Sequence, residues 1–407
     1  MISAERIEQA LERVFARQMQ RHAWRHEDEA YRLMDARDRH ALAATLAAAI
    51  QNGTYEPLPA RASFVRTGDK LRPLVQLQLI DRALHAILAE DLQAASQVSP
   101  AVWSFQKGKS EALAIAAFVR YTRKHRRKHS EPKNRGLHVA RIDVQKYGES
   151  IAVHEGAPLW RIVDGLVDTT VLKRALRVSK RGDGDWHSQL IGLPTGSALV
   201  PPIENLYLGE VDRAMTSVEG VFYARYGDDM LLAHENRQVV EGALATLEGI
   251  TTALGLSLHK RSPLFFNGAG REGAHVIDYL GCRIGFDGSV GLTQKKYRRT
   301  ILELRTRLRQ SDALLHAEDH ETRARTLVQI ANGAFNPKSP FSMLDAVRVM
   351  RVVTDRGQLA ALDYETALTL AECLSNRRGV RAFRTWPPRV FRTRFGLRSL
   401  VAMRNGT

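Results

Sequence analysis

The run Ala224-Arg225-Tyr226-Gly227-Asp228-Asp229-Met230-Leu231-Leu232 sets a glycine and two adjacent acids between two β-prone stretches. This pattern reads as a hairpin with the carboxylates at its tip. Alone, an Asp-Asp turn is most simply a solvated loop. A third acid changes the reading: Asp143 ends a second apolar, strand-like run, His138-Val139-Ala140-Arg141-Ile142. Two strands that end in acids can pool their carboxylates around a hard divalent cation if they lie side by side. Mg2+ favours a few carboxylates together with water and phosphate oxygens.

Between these acids lies Ile191-Gly192-Leu193-Pro194-Thr195-Gly196-Ser197-Ala198-Leu199-Val200-Pro201-Pro202. Glycines around a proline make a tight turn, and a small-residue loop opening a helix lets a flat base pair or a phosphate approach the backbone. The helix is expected over 203–215. Charge points the same way. The chain of 407 residues carries Lys+Arg 60 against Asp+Glu 44, a net +16, which favours a polyanionic partner. The longest apolar stretch, Ala41 to Ile50, is too short to span a membrane, and the N-terminus has no apolar signal core. The expected location is the cytoplasm. Cys282 and Cys373 form no CxxC or Cys/His cluster, so both read as buried thiols rather than as a disulfide or a zinc site.

Periodicity predicts helices over 4–23, 27–50 and 82–92, and a strand pair over 62–79 joined by Thr67-Gly68-Asp69. Short strands are expected at 138–144, 221–226, 229–233 and 279–284. Helical runs follow at 295–311, 320–332, 341–354 and 358–375. The class is α+β. Residues Arg120 to His129 form a strongly basic run, and Arg377 to Arg398 mixes arginine with Phe383, Trp386, Phe391 and Phe395. Trp103 and Phe105 read as core.

In this order the elements resemble the motifs of reverse transcriptases. RIDVQKYGESI resembles motif A, GLPTGSALVPPIENLYLGEVD motif B and RYGDDMLL motif C. FVRTGDKLRPLVQLQLIDRALHAIL and VWSFQKGKSEALAI are similar to the fingers segments of bacterial, group II intron-like enzymes. LGLSLHKR resembles motif D, and VIDYLGCRIGFDG the primer-grip hairpin. The resemblance implies a right-hand polymerase fold with fingers, a palm built on a small antiparallel sheet, and a helical thumb. It implies an N-terminal helical extension at 1–54, fingers at 55–140, a palm at 141–290, and a thumb with a basic C-terminal segment at 291–407.

The same resemblance assigns roles. Asp143, Asp228 and Asp229, with the backbone carbonyl of Val144, would hold two Mg2+ ions, for which Mn2+ is an alternative. Arg66, Lys70 and Arg72 would grip the incoming triphosphate. Gly192 and Gly196 would pass the template–primer pair, Thr195 would belong to the same substrate-binding set, and Lys260 would protonate pyrophosphate. Leu280 and Gly281 would support the primer end. Arg123, Lys124, Arg126, Arg127 and Lys128 would contact nucleic-acid phosphates. The implied activity is RNA-directed DNA synthesis from dNTPs on an RNA template, giving a DNA product. A dedicated noncoding RNA, a role in antiphage defence, and assembly as a homo-oligomer or with a second protein of a defence operon belong to the same expectation.

Three positions depart from the family pattern. Where a bulky aromatic normally closes against the sugar 2′ position, this chain has Gly148, preceded by Tyr147. Either Tyr147 takes over that gate or the gate is open. Thr195 replaces the usual glutamine, and Glu204 stands where a small apolar residue is common. An RNA-synthesising or untemplated nucleotidyltransferase, or a nucleic-acid-binding scaffold with a relict site, are the alternatives.

Overall fold

The computed structural model describes residues 2–20, 26–67, 70–129, 136–178, 192–259, 262–268 and 274–405. The chain opens with helices α1 (Ala4–Gln20), α2 (His26–Leu33) and α3 (Ala36–Gln51). The single helix expected over 27–50 is two. Asp35 adopts extended backbone and its carboxylate accepts from the Asp38 amide, capping a new helix at Ala36. The hairpin β1 (Arg61–Thr67) and β2 (Lys70–Gln76) pairs in antiparallel register from Arg61 opposite Gln76 to Thr67 opposite Lys70. The Gly68-Asp69 turn expected between these strands lies outside the described residues. Helices α4 (Leu79–Ala95) and α5 (Glu111–Lys128) follow. In α5 the Ser110 hydroxyl caps the Leu113 amide, Glu111 sits in the first turn, and the basic residues fill the last, as the helix dipole favours.

Strand β3 (Leu137–Val144) leads into short helices α6 (Tyr147–Ser150), α7 (Pro158–Val163) and α8 (Thr169–Leu176). The helix expected over 203–215 starts earlier and is broken into α9 (Val200–Tyr207) and α10 (Gly209–Ser217). Pro201 and Pro202 occupy the first turn of α9, where a missing N–H costs nothing. Strands β4 (Phe222–Tyr226) and β5 (Asp229–His234), helix α11 (Arg237–Ala253), and strands β6 (Leu258–His259) and β7 (Leu264–Phe266) complete a five-stranded sheet. Its order is β4-β5-β3-β6, with β7 also pairing β3. The long central strands are buried along most of their length, with Val139, Ala140, Ile142, Met230, Leu231 and Leu232 at 3% exposure or less.

The strand expected over 279–284 is broken by a two-residue turn, within the hairpin expected of VIDYLGCRIGFDG. Strands β8 (Val276–Tyr279) and β9 (Cys282–Gly285) flank Leu280-Gly281, and β10 (Val290–Leu292) extends them into a three-stranded sheet. The remainder is helical: α12 (Gln294–Leu314), α13 (His320–Ala334), α14 (Leu344–Met350), α15 (Arg356–Ser375), a 3-10 turn at Gly379–Arg384, α16 (Pro388–Phe395) and α17 (Leu400–Asn405). Leu304 and Leu308 of α12 pack with Leu327, Ile330 and Ala331 of α13 and Leu370 and Leu374 of α15. Each buried leucine of this kind stabilises the fold by about 1.5–3 kcal/mol. The aromatics of the C-terminal segment close that core. Phe391 is fully buried, and Trp386 stacks on it with ring centroids 5.9 Å apart.

By compactness the chain divides into two units. The first comprises Met1–Phe105, Ile142–Met230 and Glu241–Arg261; the second comprises Gln106–Arg141, Leu231–Val240 and Ser262–Thr407. Among the described residues no helix is long and apolar enough to cross a membrane. Both cysteines are free and buried, and burial pushes their thiols up to about 12.

Candidate active site

Strands β4 and β5 are joined by Gly227-Asp228 alone. Gly227 has a φ of +64°, the left-handed conformation a two-residue hairpin turn demands and that glycine adopts without strain. Asp228 therefore sits in the turn and Asp229 is the first residue of β5. The Val144 amide donates to the Asp228 carbonyl at 3.3 Å, which sets the end of β3 against the turn. Asp143 pairs in register with His259 on β6. The backbone thus brings Asp143 beside a pair of adjacent acids that lie far from it in sequence.

Their side chains are not equivalent. Asp143 and Asp228 are half-buried, whereas Asp229 is 9% exposed. Successive residues entering a strand point to opposite faces, so the two neighbouring acids are sent in different directions. Among the described residues the trio whose donor atoms all lie within 4.8 Å of one another is His125, His129 and Glu235, not these three aspartates. The Val144–Asp228 backbone bond sets the end of β3, with Asp143, beside the turn that carries Asp228. The donor set still fits a hard divalent cation. Asp143 is a half-buried carboxylate with no ion pair among the described residues, beside a second carboxylate in a glycine turn, and both offer oxygen only.

A buried polar network that sequence reasoning missed lies directly behind the turn. Arg225 is 0% exposed and makes a two-pronged ion pair with Asp212, Nε to Oδ1 at 2.8 Å and Nη2 to Oδ2 at 2.6 Å. Its Nη1 donates to the Gly227 carbonyl at 3.2 Å and to Asn205 Oδ1 at 3.3 Å. Tyr223 donates its hydroxyl to Asp212, and Asn205 exchanges bonds with Ser104. Burial opposes the charge on Arg225, but the Asp212 carboxylate outweighs it and raises the guanidinium above its ordinary value. The backbone of Arg225 also bonds Ala101 and Trp103, so residues 101–103 run alongside β4. This corrects the core assignment of Phe105, which is 49% exposed at a φ of +55°. The only sequence signal for the network was an arginine inside an apolar strand run.

The Gly192–Ser197 loop is strapped on two sides. On one, the Gly192 amide donates to Ile151 and the Leu193 amide to Gly148, both at 2.8 Å. On the other, the Val75 amide donates to the Thr195 carbonyl at 2.8 Å. Gly192 and Gly196 have φ near +100°. A Cβ would stand 3.1 Å from the Glu149 carbonyl at the first and 2.5 Å from a Leu74 methyl at the second. The neighbours these glycines accommodate are the backbone of α6 at Gly192 and strand β2 at Gly196. The loop is anchored from below by His85, which is fully buried. Its Nε2 donates to the Ala175 carbonyl at 2.8 Å, which leaves Nδ1 to accept from the Ser197 hydroxyl at 2.6 Å. Burial lowers the His85 pKa to about 4, keeping the ring neutral.

Packing fixes the surroundings of Tyr147 and Gly148. Tyr147 is 4% exposed and donates its hydroxyl to the Glu204 carbonyl at 2.5 Å; burial pushes the phenol well above its ordinary value. Its side chain is packed against α9. A Cβ on Gly148 would stand 2.8 Å from Glu204 Oε1, so the space left by the missing aromatic is taken by a carboxylate from α9.

The other expected residues are scattered more widely along the chain. Arg66 lies on β1, and Lys70 and Arg72 on β2, with Arg72 opposite Val65. The side chains of these three and the whole of Lys260 lie outside the described residues. In α5, Arg123 donates to the Gly288 carbonyl at 3.1 Å, and Arg126 lies over the Phe286 ring. Lys124, Arg127 and Lys128 are exposed. Leu280 and Gly281 form the β8–β9 turn with φ of +48° and +76°, and the Gly281 carbonyl accepts from Thr293 at 3.0 Å.

Among solved structures, the chain is similar to the truncated apo telomerase of Candida tropicalis, at 10% identity over 62% of this chain and 60% of that one, with a TM-score of 0.43. It is also similar to the Candida albicans telomerase in complex with a telomeric RNA fragment, at 10% identity over 88% and 67%, with a TM-score of 0.46. A third likeness is to the BmCPV RNA-dependent RNA polymerase, at 12% identity over 65% and 25%, with a TM-score of 0.39. This chain thus spans about three fifths of the first of these proteins. Likenesses this distant say nothing about chemistry. No curated protein matches the chain. Sequence comparison, by contrast, matches residues 65–284, more than half of the chain, to the family described as reverse transcriptase (RNA-dependent DNA polymerase). That span contains the β4–β5 turn, the end of β3 and the strapped loop, and with it the chain belongs to the reverse transcriptase family of RNA-directed nucleotidyltransferases.

Proposed function

We propose that this chain is an RNA-directed DNA polymerase that extends a 3′-hydroxyl with dNTPs on an RNA template. The observation that carries the reading is the bond from the Val144 amide to the Asp228 carbonyl, which joins the ends of the two acid-bearing strands. Asp143 and Asp228 would hold Mg2+, with Asp229 and the Val144 carbonyl completing the donor set. Two such ions, when bound, activate the attacking hydroxyl and stabilise the leaving pyrophosphate. Arg66, Lys70 and Arg72 would offset the triphosphate charge, and Leu280-Gly281 would steady the primer end. Fingers at 55–140, a palm at 141–290 and a thumb beyond 291 remain the working division. Primer extension tests the reading. Asp143→Asn and Asp228→Asn should each lower the rate by at least about a thousandfold while RNA binding stays within threefold. Retained synthesis would sink it, and retained biological function without synthesis would favour a binding scaffold.

A second reading concerns the sugar. The carboxylate of Glu204 beside Gly148 offers an acceptor for a 2′-hydroxyl where an aromatic would exclude one. On this reading the enzyme admits NTPs alongside dNTPs, and Glu204→Leu shifts selection toward dNTPs. Competition between the two pools decides it; strict dNTP use by the parent enzyme removes the idea. A dedicated noncoding template and a defence role rest on the sequence resemblance and the basic excess. Sequencing the RNA that co-purifies tests them, and random cellular RNA would count against both.

A further inference from the structure

Away from the carboxylate turn, His125 and His129 lie one helical turn apart at the C-terminal end of α5, so both rings fall on one face. Their centroids are 4.5 Å apart. Glu235 follows directly after β5 and meets them. Its Oε2 lies 3.0 Å from His129 Nε2 and 3.7 Å from His125 Nδ1, and all three donor atoms are within 4.8 Å of one another. His125 is 7% exposed, so this is a partly enclosed site and not three surface side chains.

We infer that His125, His129 and Glu235 form a binding site for a transition-metal dication of the zinc class, separate from the polymerase carboxylates. Three features support this over a simple ion pair. First, the spacing is right. Ligands about 2.0–2.1 Å from a tetrahedral zinc stand about 3.3 Å from each other, between the two distances observed. Second, the lone pairs are set correctly. His125 Nε2 lies 3.1 Å from the Gly136 carbonyl, which can only accept, so the proton sits on Nε2 and the Nδ1 lone pair faces Glu235. Metal-bound histidines are usually oriented by such a second bond. Third, an ion pair with Glu235 uses one imidazolium, whereas here two rings crowd one carboxylate oxygen. One dication would satisfy both rings without placing two positive rings side by side.

Two imidazoles and one carboxylate suit borderline ions such as Zn2+ over Mg2+, which prefers oxygen throughout. Three protein donors leave one position for water. The exposed Arg127 and Lys128 nearby oppose a dication, and the negative end of α5 partly offsets them. The ion would tie the end of α5 to the segment that leaves β5, a structural cross-link made without cysteine.

The test uses the full chain, stripped of transition metals and held in excess Mg2+ so that oxygen-only sites are filled. Titration with Co2+ should give one equivalent with the intense visible absorption of tetrahedral nitrogen and oxygen ligation, displaced by one equivalent of Zn2+. Zn2+ at a hundredfold excess over Kd should raise Tm by on the order of 5 °C. His129→Gln and Glu235→Gln, both at partly exposed positions, should weaken binding at least tenfold and remove the Tm shift. Asp143→Asn should leave binding unchanged. If parent and variants titrate alike, if the only bound equivalent disappears with Asp143→Asn, or if no tetrahedral spectrum forms, the site is an ion pair and the inference is wrong. Circular dichroism of each metal-free variant separates lost ligation from lost folding.

Discussion

Two buried side chains, Arg225 and Asp212, stand behind the turn that carries Asp228. Arg225 holds the Gly227 carbonyl from behind, and among the described residues its charge is balanced by Asp212. Removing one member of a buried ion pair strands the other. Asp212→Ala is therefore expected to cost about 3–5 kcal/mol in denaturant unfolding. The double change Asp212→Leu with Arg225→Met should recover most of that stability yet still extend primers slowly, because the clamp on the turn is gone. Full activity in the double variant would show that the network only fills space. His85 makes a pH-dependent contribution. Its folded pKa, about 4, lies below the ordinary 6.5, so the unfolded chain takes up the proton more readily. The stability it confers is complete above about pH 6.5 and is lost as pH falls from there toward about 4. Buried Asp81, held up to about 6 by burial, acts in the opposite sense over part of that window. The difference between parent and His85→Gln isolates the histidine: the penalty should be greatest near neutral pH and shrink by about 3 kcal/mol toward pH 4. A pH-independent penalty would refute the assignment.

At the scale of elements, the β8–β9 hairpin carries backbone strain, as Phe105 and Lys146 do elsewhere in the chain. Leu280 adopts a left-handed conformation that costs a residue with a Cβ about 1–2 kcal/mol, where asparagine or glycine would serve. Leu280→Asn should therefore raise unfolding stability by about 1 kcal/mol while lowering primer extension, since the proposed support of the primer end would lose its apolar side chain. A variant both more stable and equally active would show the leucine to be incidental. Other elements follow from local rules. The caps at Asp35, Ser110, Asp168, Thr293, Asp319 and Asp355 all accept from amides two or three residues on. The Leu280 strand assignment failed because alternation continues through a two-residue turn, so the pattern alone does not reveal the reversal.

For the molecule as a whole, the net charge of +16 predicts salt-sensitive binding to nucleic acid. The basic run does not contribute evenly: Arg123 is bonded to Gly288 and Arg126 lies over Phe286, leaving Lys124, Arg127 and Lys128 exposed. Replacing those three with glutamine should flatten the plot of log affinity against log salt by about 2–3 units, at about 0.7–0.9 per lost phosphate contact. An unchanged slope would place the contacts elsewhere. Unfolding should be little affected, because exposed charges contribute little to stability. The C-terminal arginines are less available for such a role where they accompany aromatics packed into a core, as Arg394 is paired with Glu321.

The sequence alone determined the α+β class, the hairpin at Gly227-Asp228, the strand ending at Asp143 and the ordered motifs, because each is written in local periodicity, turn chemistry and spacing. The tertiary structure decided what those patterns touch. It placed Glu204 in the space beside Gly148, turned Tyr147 into the core, seated Arg225 behind the turn, sent Asp229 inward, and brought Glu235 to two histidines more than a hundred residues earlier. These outcomes depend on contacts between distant segments, and the energy of such a contact is set by packing in three dimensions, which no local pattern in the chain encodes.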